Sequence, residues 1–247
     1  METTKEKLLS MMQRYEIGKK PLARLLGWGE TTVMRYLDGV EPQGEFLRRI
    51  EELAGNPWEY ARLLEKNGDV LTGTAYRKTK RAVYREIFCD RSTEAMQHVI
   101  ALADGDIAPY RVIAVLYYAQ VCSVVFRGEP LFEEEAEFAI KGISVYPRLY
   151  RQLKLYGVRV IRPDVSTLSV EEQNCIREVW QELNRYSPNA IKAILVRDKK
   201  RIRRHSKEKA DKLTAEEIKR QCETLFRKYG VECPLQLRQF FAASLKE

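Results

Sequence analysis

Apolar residues recur three or four positions apart along most of the chain, which is the spacing of one face of an α-helix. The longest nearly unbroken apolar run covers residues 107–126 and is long enough to cross a bilayer. Arg111, Gln120 and Ser123 interrupt it, which favours the buried centre of a helical domain over a membrane span. The pattern therefore predicts a mainly α protein with at most a minor strand pair, built around this run as its core helix.

Residues 19–42 have the pattern of two short helices joined by a glycine turn. Pro21 fits the first turn of the first helix, and Gly27 fits its end, where glycine adopts a left-handed conformation at little cost. The second helix is predicted at about residues 30–37 and ends before Gly39. The residues expected to pack between the helices and into the core are Ala23, Trp28, Val33 and Tyr36.

This arrangement resembles the helix-turn-helix of the phage-repressor type found in many bacterial antitoxins, which implies that the second helix docks in the major groove of DNA. The candidate DNA-binding residues are Lys19, Lys20, Arg24, Glu30, Thr31, Met34 and Arg35. Arg35 is expected to make a bidentate contact with guanine, and Thr31 is expected to contact a base or a phosphate. The basic residues of the first helix are expected to approach the DNA backbone. Glu30 either accepts a hydrogen bond from a cytosine amino group or favours the positive end of its own helix.

A plain packing corner is the alternative interpretation of the same two helices, because the 11 basic and 11 acidic residues among residues 1–66 cancel. Further helices are predicted at about residues 44–54, with Phe46 on the buried face, and 57–66. The domains assigned on this basis are a DNA-binding domain at residues 1–67, a linker with an exposed basic connecting helix at residues 68–91, and a second domain at residues 92–247.

Several short motifs in the second domain follow one another in a recognisable order. They are Asp106-Ile107 with Pro109, Leu116-Tyr117-Tyr118-Ala119-Gln120, Gly128-Glu129-Pro130-Leu131-Phe132, and Leu149-Tyr150 through Tyr156-Gly157. Their order and spacing resemble the Panacea domain over about residues 92–195. The chain departs from the family pattern at Gly142-Ile143-Ser144, where the family has Gly-Pro-Val, and at residues 193–217, where the family often has a stretch with threonine and histidine before a tryptophan.

The Panacea domain is shared by proteolysis-adaptor and toxin-neutralising antitoxins, so the resemblance implies that this domain binds a toxin. Tyrosine and phenylalanine side chains supply large contact areas at protein interfaces. Tyr117 and Tyr118 are expected in the core. Phe132, Tyr146 and Tyr150 lie close to predicted loops and charged neighbours, and they are the candidate partner-binding residues.

Charge adds a second candidate contact with nucleic acid. The formal net charge is +8, and residues 161–247 supply 19 basic against 13 acidic side chains. The segment 197–209 alone has eight basic and two acidic residues. A polybasic segment of this kind attracts phosphate backbones without reading sequence, so it is an alternative to the helix-turn-helix as the main contact.

The sequence contains few of the residue patterns that metal sites, disulfide frameworks and enzymes require. The five cysteines are scattered without a CxxC pair and there are two histidines, so neither a metal site nor a disulfide framework is expected, and no cofactor is predicted. The chain has no phosphate loop, HExxH or GxSxG motif, which argues against an enzyme. No secretory signal is visible, so a cytoplasmic location is expected.

Together the resemblances to the phage-repressor helix-turn-helix and to the Panacea domain imply an antitoxin of a type II toxin-antitoxin system that also represses its own operon. The expected partners are a cognate protein toxin, double-stranded operator DNA and a second copy of the chain, since repressors of this type commonly dimerise on two half-sites. No membrane partner is expected. The alternative is a phage or mobile-element transcription regulator without toxin-neutralising activity.

Overall fold

The computed structural model describes residues 3–137, 145–162, 166–205 and 212–246, with side chains omitted at residues 202–205. The chain forms two compact units, Met1–Cys89 and Asp90–Glu247. The described residues are mainly helical, and their strands form one two-stranded antiparallel sheet. The predicted fold class is confirmed.

Unit 1, the N-terminal unit, is a bundle of six helices. They are α1 (Thr4–Arg14), α2 (Lys19–Leu26), α3 (Glu30–Leu37), α4 (Glu45–Gly55), α5 (Pro57–Asn67) and α6 (Gly73–Ile87). Thr3 and Glu6 form a capping box that satisfies the first amides of α1. The helices enclose a core in which the rings of Tyr15 and Tyr60 lie 4.0 Å apart.

The prediction of an exposed connecting helix at residues 68–91 is wrong, because α6 belongs to unit 1. Val83 and Ile87 are buried on the face of α6 that packs on α5. Arg85 pairs with Glu16, and Arg14 pairs with Glu86, which ties α6 to the start of unit 1. α6 therefore carries an apolar stripe packed on α5 in spite of its many basic residues, and the unit boundary lies after Cys89.

Unit 2, the C-terminal unit, has seven helices in its described residues. They are α7 (Arg91–Leu102), α8 (Pro109–Cys122), α9 (Pro147–Tyr156), α10 (Val170–Leu183), α11 (Pro188–His205), α12 (Ala215–Lys228) and α13 (Leu237–Lys246). Two short strands, β1 (Ala136–Glu137) and β2 (Lys212–Leu213), pair antiparallel. Ser169 with Glu172 and Thr214 with Glu217 form capping boxes that start α10 and α12.

The apolar run is the core helix of unit 2. Every residue of α8 from Val112 to Cys122 is buried, with α7, α9, α10, α11 and α12 packed around it. By length and composition Pro109–Arg127 would suffice to span a membrane, but 72% of its most apolar window is buried within the protein. The helix thus packs as the core helix of a globular unit, as the sequence predicts.

The polar residues of this run hold the chain that follows it. Gln120 Oε1 accepts hydrogen bonds from the backbone amides of Leu131 at 2.7 Å and Phe132 at 3.3 Å. Gln120 Nε2 donates to the carbonyl of Phe132 at 2.8 Å, and Ser123 Oγ donates to the carbonyl of Glu129 at 2.8 Å. Buried backbone groups need such partners, so these side chains fix the return of the chain after Gly128.

Candidate nucleic-acid interface and partner surface

Two glycines set the ends of the helix-turn-helix. Gly27 has a left-handed φ of 70°, its amide donates to the carbonyl of Arg24 at 3.0 Å, and the amide of Trp28 donates to that of Ala23 at 2.9 Å. These two bonds make a Schellman cap at the end of α2. The end of α3 repeats the arrangement, with Gly39 at a φ of 101°. Both ends are therefore defined by backbone hydrogen bonds.

The inner face of the motif is apolar and fully packed. Ala23 is inaccessible to solvent, as expected where two helices meet closely, and Val33 and Leu37 of α3 are buried beside it. The side-chain amide of Asn67 donates to the carbonyl of Leu25 at 3.0 Å, which ties α5 to α2. Because this face is occupied, the opposite face of α2 and α3 points to solvent.

All seven candidate DNA-binding residues are exposed, and the structure groups them on this outer face. Thr31, Met34 and Arg35 project from α3. Lys19, Lys20 and Arg24 project from α2, and Lys20 has a side-chain exposure of 75%. Hydrogen-bonding groups on α3 therefore lie beside cations on α2, and contacts to DNA bases and to phosphates use these two kinds of group.

Glu30, the first residue of α3, lies between the two helices. Its carboxylate is 3.7 Å from the ammonium of Lys20 and 3.9 Å from the guanidinium of Arg24. Solvent-exposed pairs at this distance are worth at most about 1 kcal/mol. Glu30 therefore holds the two cations loosely, and they remain available to a stronger anion such as a phosphate.

An aromatic cluster beside α3 differs from the sequence prediction. Trp28 and Tyr36 were expected in the core, but both are only partly buried. Phe46, placed by its spacing on the buried face of α4, is 40% exposed and lies 4.9 Å from the ring of Trp28. Phe46 is in the first turn of α4, where no further helical turn covers it. Helical spacing alone does not carry that information.

The expectation that Phe132 and Tyr146 lie at an accessible surface is wrong, because both are buried. Phe132 is 2% exposed and Tyr146 is inaccessible, and their rings meet edge to face at 5.4 Å inside unit 2. The backbone bonds from Gln120 draw Phe132 inwards. Burial also raises the pKa of Tyr146 well above its ordinary value. Charged neighbours in sequence did not indicate exposure here, because the side chains point to different sides of the chain.

Tyr150, the third candidate, lies on α9 and is partly exposed. The ammonium of Lys154 is 5.7 Å from its ring centroid, and Arg151 is exposed beside it in sequence. Leu155 on the same helix is 61% exposed. The outer face of α9 therefore combines an aromatic ring, an aliphatic side chain and two cations. It is an accessible surface that contains one of the three predicted partner-binding residues, Tyr150.

Some predicted features lie outside the described residues. They include Gly142-Ile143-Ser144 and the end of the basic segment, of which side chains are described only as far as Arg201. No protein-family model matches this chain, and no curated protein or solved structure matches it. The resemblances to the helix-turn-helix and to the Panacea domain therefore rest on the residues of the chain itself.

Proposed function

We propose that this protein is a cytoplasmic antitoxin of a type II toxin-antitoxin system. Unit 1 binds operator DNA through α2 and α3 and represses the operon. Unit 2 neutralises a cognate protein toxin by direct binding. The observation that carries the DNA half is the outer face of α2 and α3, where the predicted base-contacting and phosphate-contacting residues are all exposed.

Arg35 is the residue that tests base recognition. A bidentate arginine-guanine contact is worth about 1–3 kcal/mol of discrimination. We expect Arg35→Ala to weaken binding to a fragment from upstream of the gene by about tenfold or more, with little change on unrelated DNA. The matched control is Arg62→Ala, since Arg62 is exposed on α5 and paired with Glu59 at 2.9 Å.

Lys20 tests the phosphate contacts in the same titration. We expect Lys20→Ala to weaken specific and unrelated DNA about equally and to reduce the slope of log affinity against log salt by about one. If the wild-type chain binds neither fragment, the two helices are a packing corner. If reversing the charges of Lys199 and Lys200 abolishes binding while Arg35→Ala does not weaken it, the basic segment 197–209 is the main contact.

The toxin-binding half is supported by the motifs that resemble the Panacea domain and by the accessible face of α9. Tyr150 and Leu155 offer an apolar centre, with Arg151 and Lys154 around it. Co-expression with the product of the adjacent gene is expected to yield a stable complex and to restore growth. Leu155→Asp is expected to prevent the complex, whereas Val170→Asp, at a residue 72% exposed at the start of α10, is not.

The second candidate function is a phage or mobile-element transcription regulator. It shares the DNA-binding half, so DNA titrations do not separate the two proposals. Operator binding together with the absence of both a complex and growth rescue would leave the regulator as the better proposal. A complex that forms equally well with Leu155→Asp would retain the antitoxin function but exclude α9 as its surface.

A further inference from the structure

Unit 2 contains a cavity of about 360 Å³ bounded by the last three helices of the chain and by the core helix α8. Its walls come from α8, α11, α12 and α13, and its aromatic side chains are Tyr117, Tyr118, Phe226, Tyr229 and Phe240. Ligand sites for small molecules typically occupy about 300–1,000 Å³ and are mostly apolar with a few polar groups. The size and lining of this cavity fall within that description.

The buried charges of the cavity compensate each other. Asp198 is 5% exposed; one of its oxygens accepts a hydrogen bond from the hydroxyl of Tyr118 at 2.5 Å and the other lies 3.3 Å from the guanidinium of Arg201. Arg201 also donates to Ser244 Oγ at 2.9 Å. Asp198 and Arg201 therefore form an ion pair in the cavity wall, and this pair adds little net charge to the site.

The rim of the cavity, in contrast, is cationic. Arg220, Thr224 and Lys228 are four residues apart on α12, so they follow one face of that helix, and all three are exposed and line the opening. Arg227, the other arginine of α12, is paired with Glu223 at 3.2 Å. Among the described residues, neither Arg220 nor Lys228 has a carboxylate at ion-pair distance.

Gln221 of α12 also lines the cavity. Its Nε2 is buried without a hydrogen-bond partner among the described residues, and it has no surface that a ligand in the cavity could touch. The entrance therefore offers a ligand two cations, Arg220 and Lys228.

We propose that this cavity is a binding site for a small organic acid that combines an aromatic ring system with one anionic group. The ring lies against Leu225 and Tyr229, which line the cavity and are only half-buried, so that apolar surface is removed from water. The anionic group lies at the entrance and interacts with Arg220 and Lys228. The site is separate from the outer face of α2 and α3, and it does not depend on the proposed antitoxin function.

Calorimetric titration of the full-length protein tests the site with defined probes. The probes are benzoate, 1-naphthoate and indole-3-acetate, and the neutral 1-naphthamide is the matched comparison for charge. We expect at least one acid to bind at one molecule per chain. We expect 1-naphthamide to bind at least about fivefold more weakly than 1-naphthoate, because it lacks the charge that the two cations attract and solvent screens part of that attraction.

Two variants and one control locate the binding. Arg220→Glu is expected to weaken the acid about tenfold by reversing one charge at the rim. Arg227→Glu makes the same change on the same helix outside the cavity and is expected to leave affinity unchanged. Leu225→Trp fills the apolar entrance and is expected to remove binding while the thermal unfolding transition is retained.

Three results would overturn the proposal. The first is that none of the acids binds at millimolar concentration. The second is that the acid and the neutral amide bind equally well, since the cationic rim would then have no role. The third is that Arg227→Glu weakens binding as much as Arg220→Glu, which would place the acid elsewhere on α12.

Discussion

The carboxyl group of Asp198 provides a quantitative test of how unit 2 is packed. Burial raises its pKa from 3.8 to about 6, although the hydroxyl of Tyr118 and the guanidinium of Arg201 lower it in part. The other titratable neighbours are Tyr117 and Tyr118 of α8 and Cys222 of α12, whose pKa values burial also raises. These groups stay neutral near pH 6, so Asp198 is the group that titrates there.

The direction of the effect follows from the proton balance. Since the pKa is higher in the folded protein, the folded protein binds more protons than the unfolded chain between the two values, and stability falls as pH rises. The contribution of Asp198 is complete below about pH 3.8 and is lost as pH rises through about 6. A shift of two units corresponds to roughly 3 kcal/mol, of which about 2 kcal/mol falls between about pH 4.5 and about pH 7.5.

The perturbation is Asp198→Asn, which removes the titration and keeps an acceptor for Tyr118. Trp28 and Trp58, both in unit 1, are replaced by phenylalanine in every protein compared, so that Trp180 of α10 reports the unfolding of unit 2. Urea unfolding followed by its fluorescence gives the free energy at each pH. We expect the stability of Asp198→Asn relative to its parent to rise by about 2 kcal/mol across this range.

Asp90→Asn is the control with the opposite titration. Burial alone would raise the pKa of Asp90, but hydrogen bonds from Ser92 and Thr93 together with the charge of Arg148 outweigh it and hold the pKa at about 2. Its stabilisation is therefore present above about pH 3.8 and is lost only as pH falls towards 2. Its effect should be constant in the tested range. If the difference in the free energy of unfolding between Asp198→Asn and its parent is also constant from about pH 4.5 to about pH 7.5, the reasoning about Asp198 is refuted.

Two further predictions concern backbone groups. Gln120→Met keeps the side-chain volume but leaves the buried amides of Leu131 and Phe132 and the carbonyl of Phe132 unpaired. We therefore expect the free energy of unfolding, measured in urea, to fall by about 3–6 kcal/mol. A fall below about 1 kcal/mol would contradict the role of Gln120. Gly27→Ala is expected to lower the free energy of unfolding by about 1 kcal/mol, because Gly27 has a positive φ. Gly55→Ala, in the last turn of α4, is expected to leave stability unchanged or to raise it. Equal effects of the two substitutions would contradict this explanation.

Helical periodicity predicted the elements well because it reports one-sided burial. The α8 helix and both glycine ends of the helix-turn-helix lie where the sequence indicates. The sequence did not assign α6 to unit 1, because Lys78, Arg85 and other basic side chains lower the mean hydropathy of a helix with a buried stripe. Pattern therefore identified the elements but not which unit each element joins.

Exposure of single side chains was harder to predict than the helices. The seven residues predicted for the outer face of α2 and α3 are all exposed, although the same motif wrongly placed Trp28 and Tyr36 in the core. Phe132 had no such template, and its burial depends on hydrogen bonds from Gln120, twelve residues earlier. The cavity of unit 2 had no sequence signal at all, since its walls come from four helices and no motif joins them.

The positions that resemble the Panacea domain have mostly structural roles in unit 2. Gln120 binds the backbone of Leu131 and Phe132, and Tyr118 binds Asp198 of α11, so these motif residues connect α8 to its neighbours. A motif with such contacts indicates a scaffold rather than the surface that a partner touches. Under the proposed antitoxin function, contacts that distinguish one toxin from another are expected on exposed positions outside the packed residues, such as the outer face of α9.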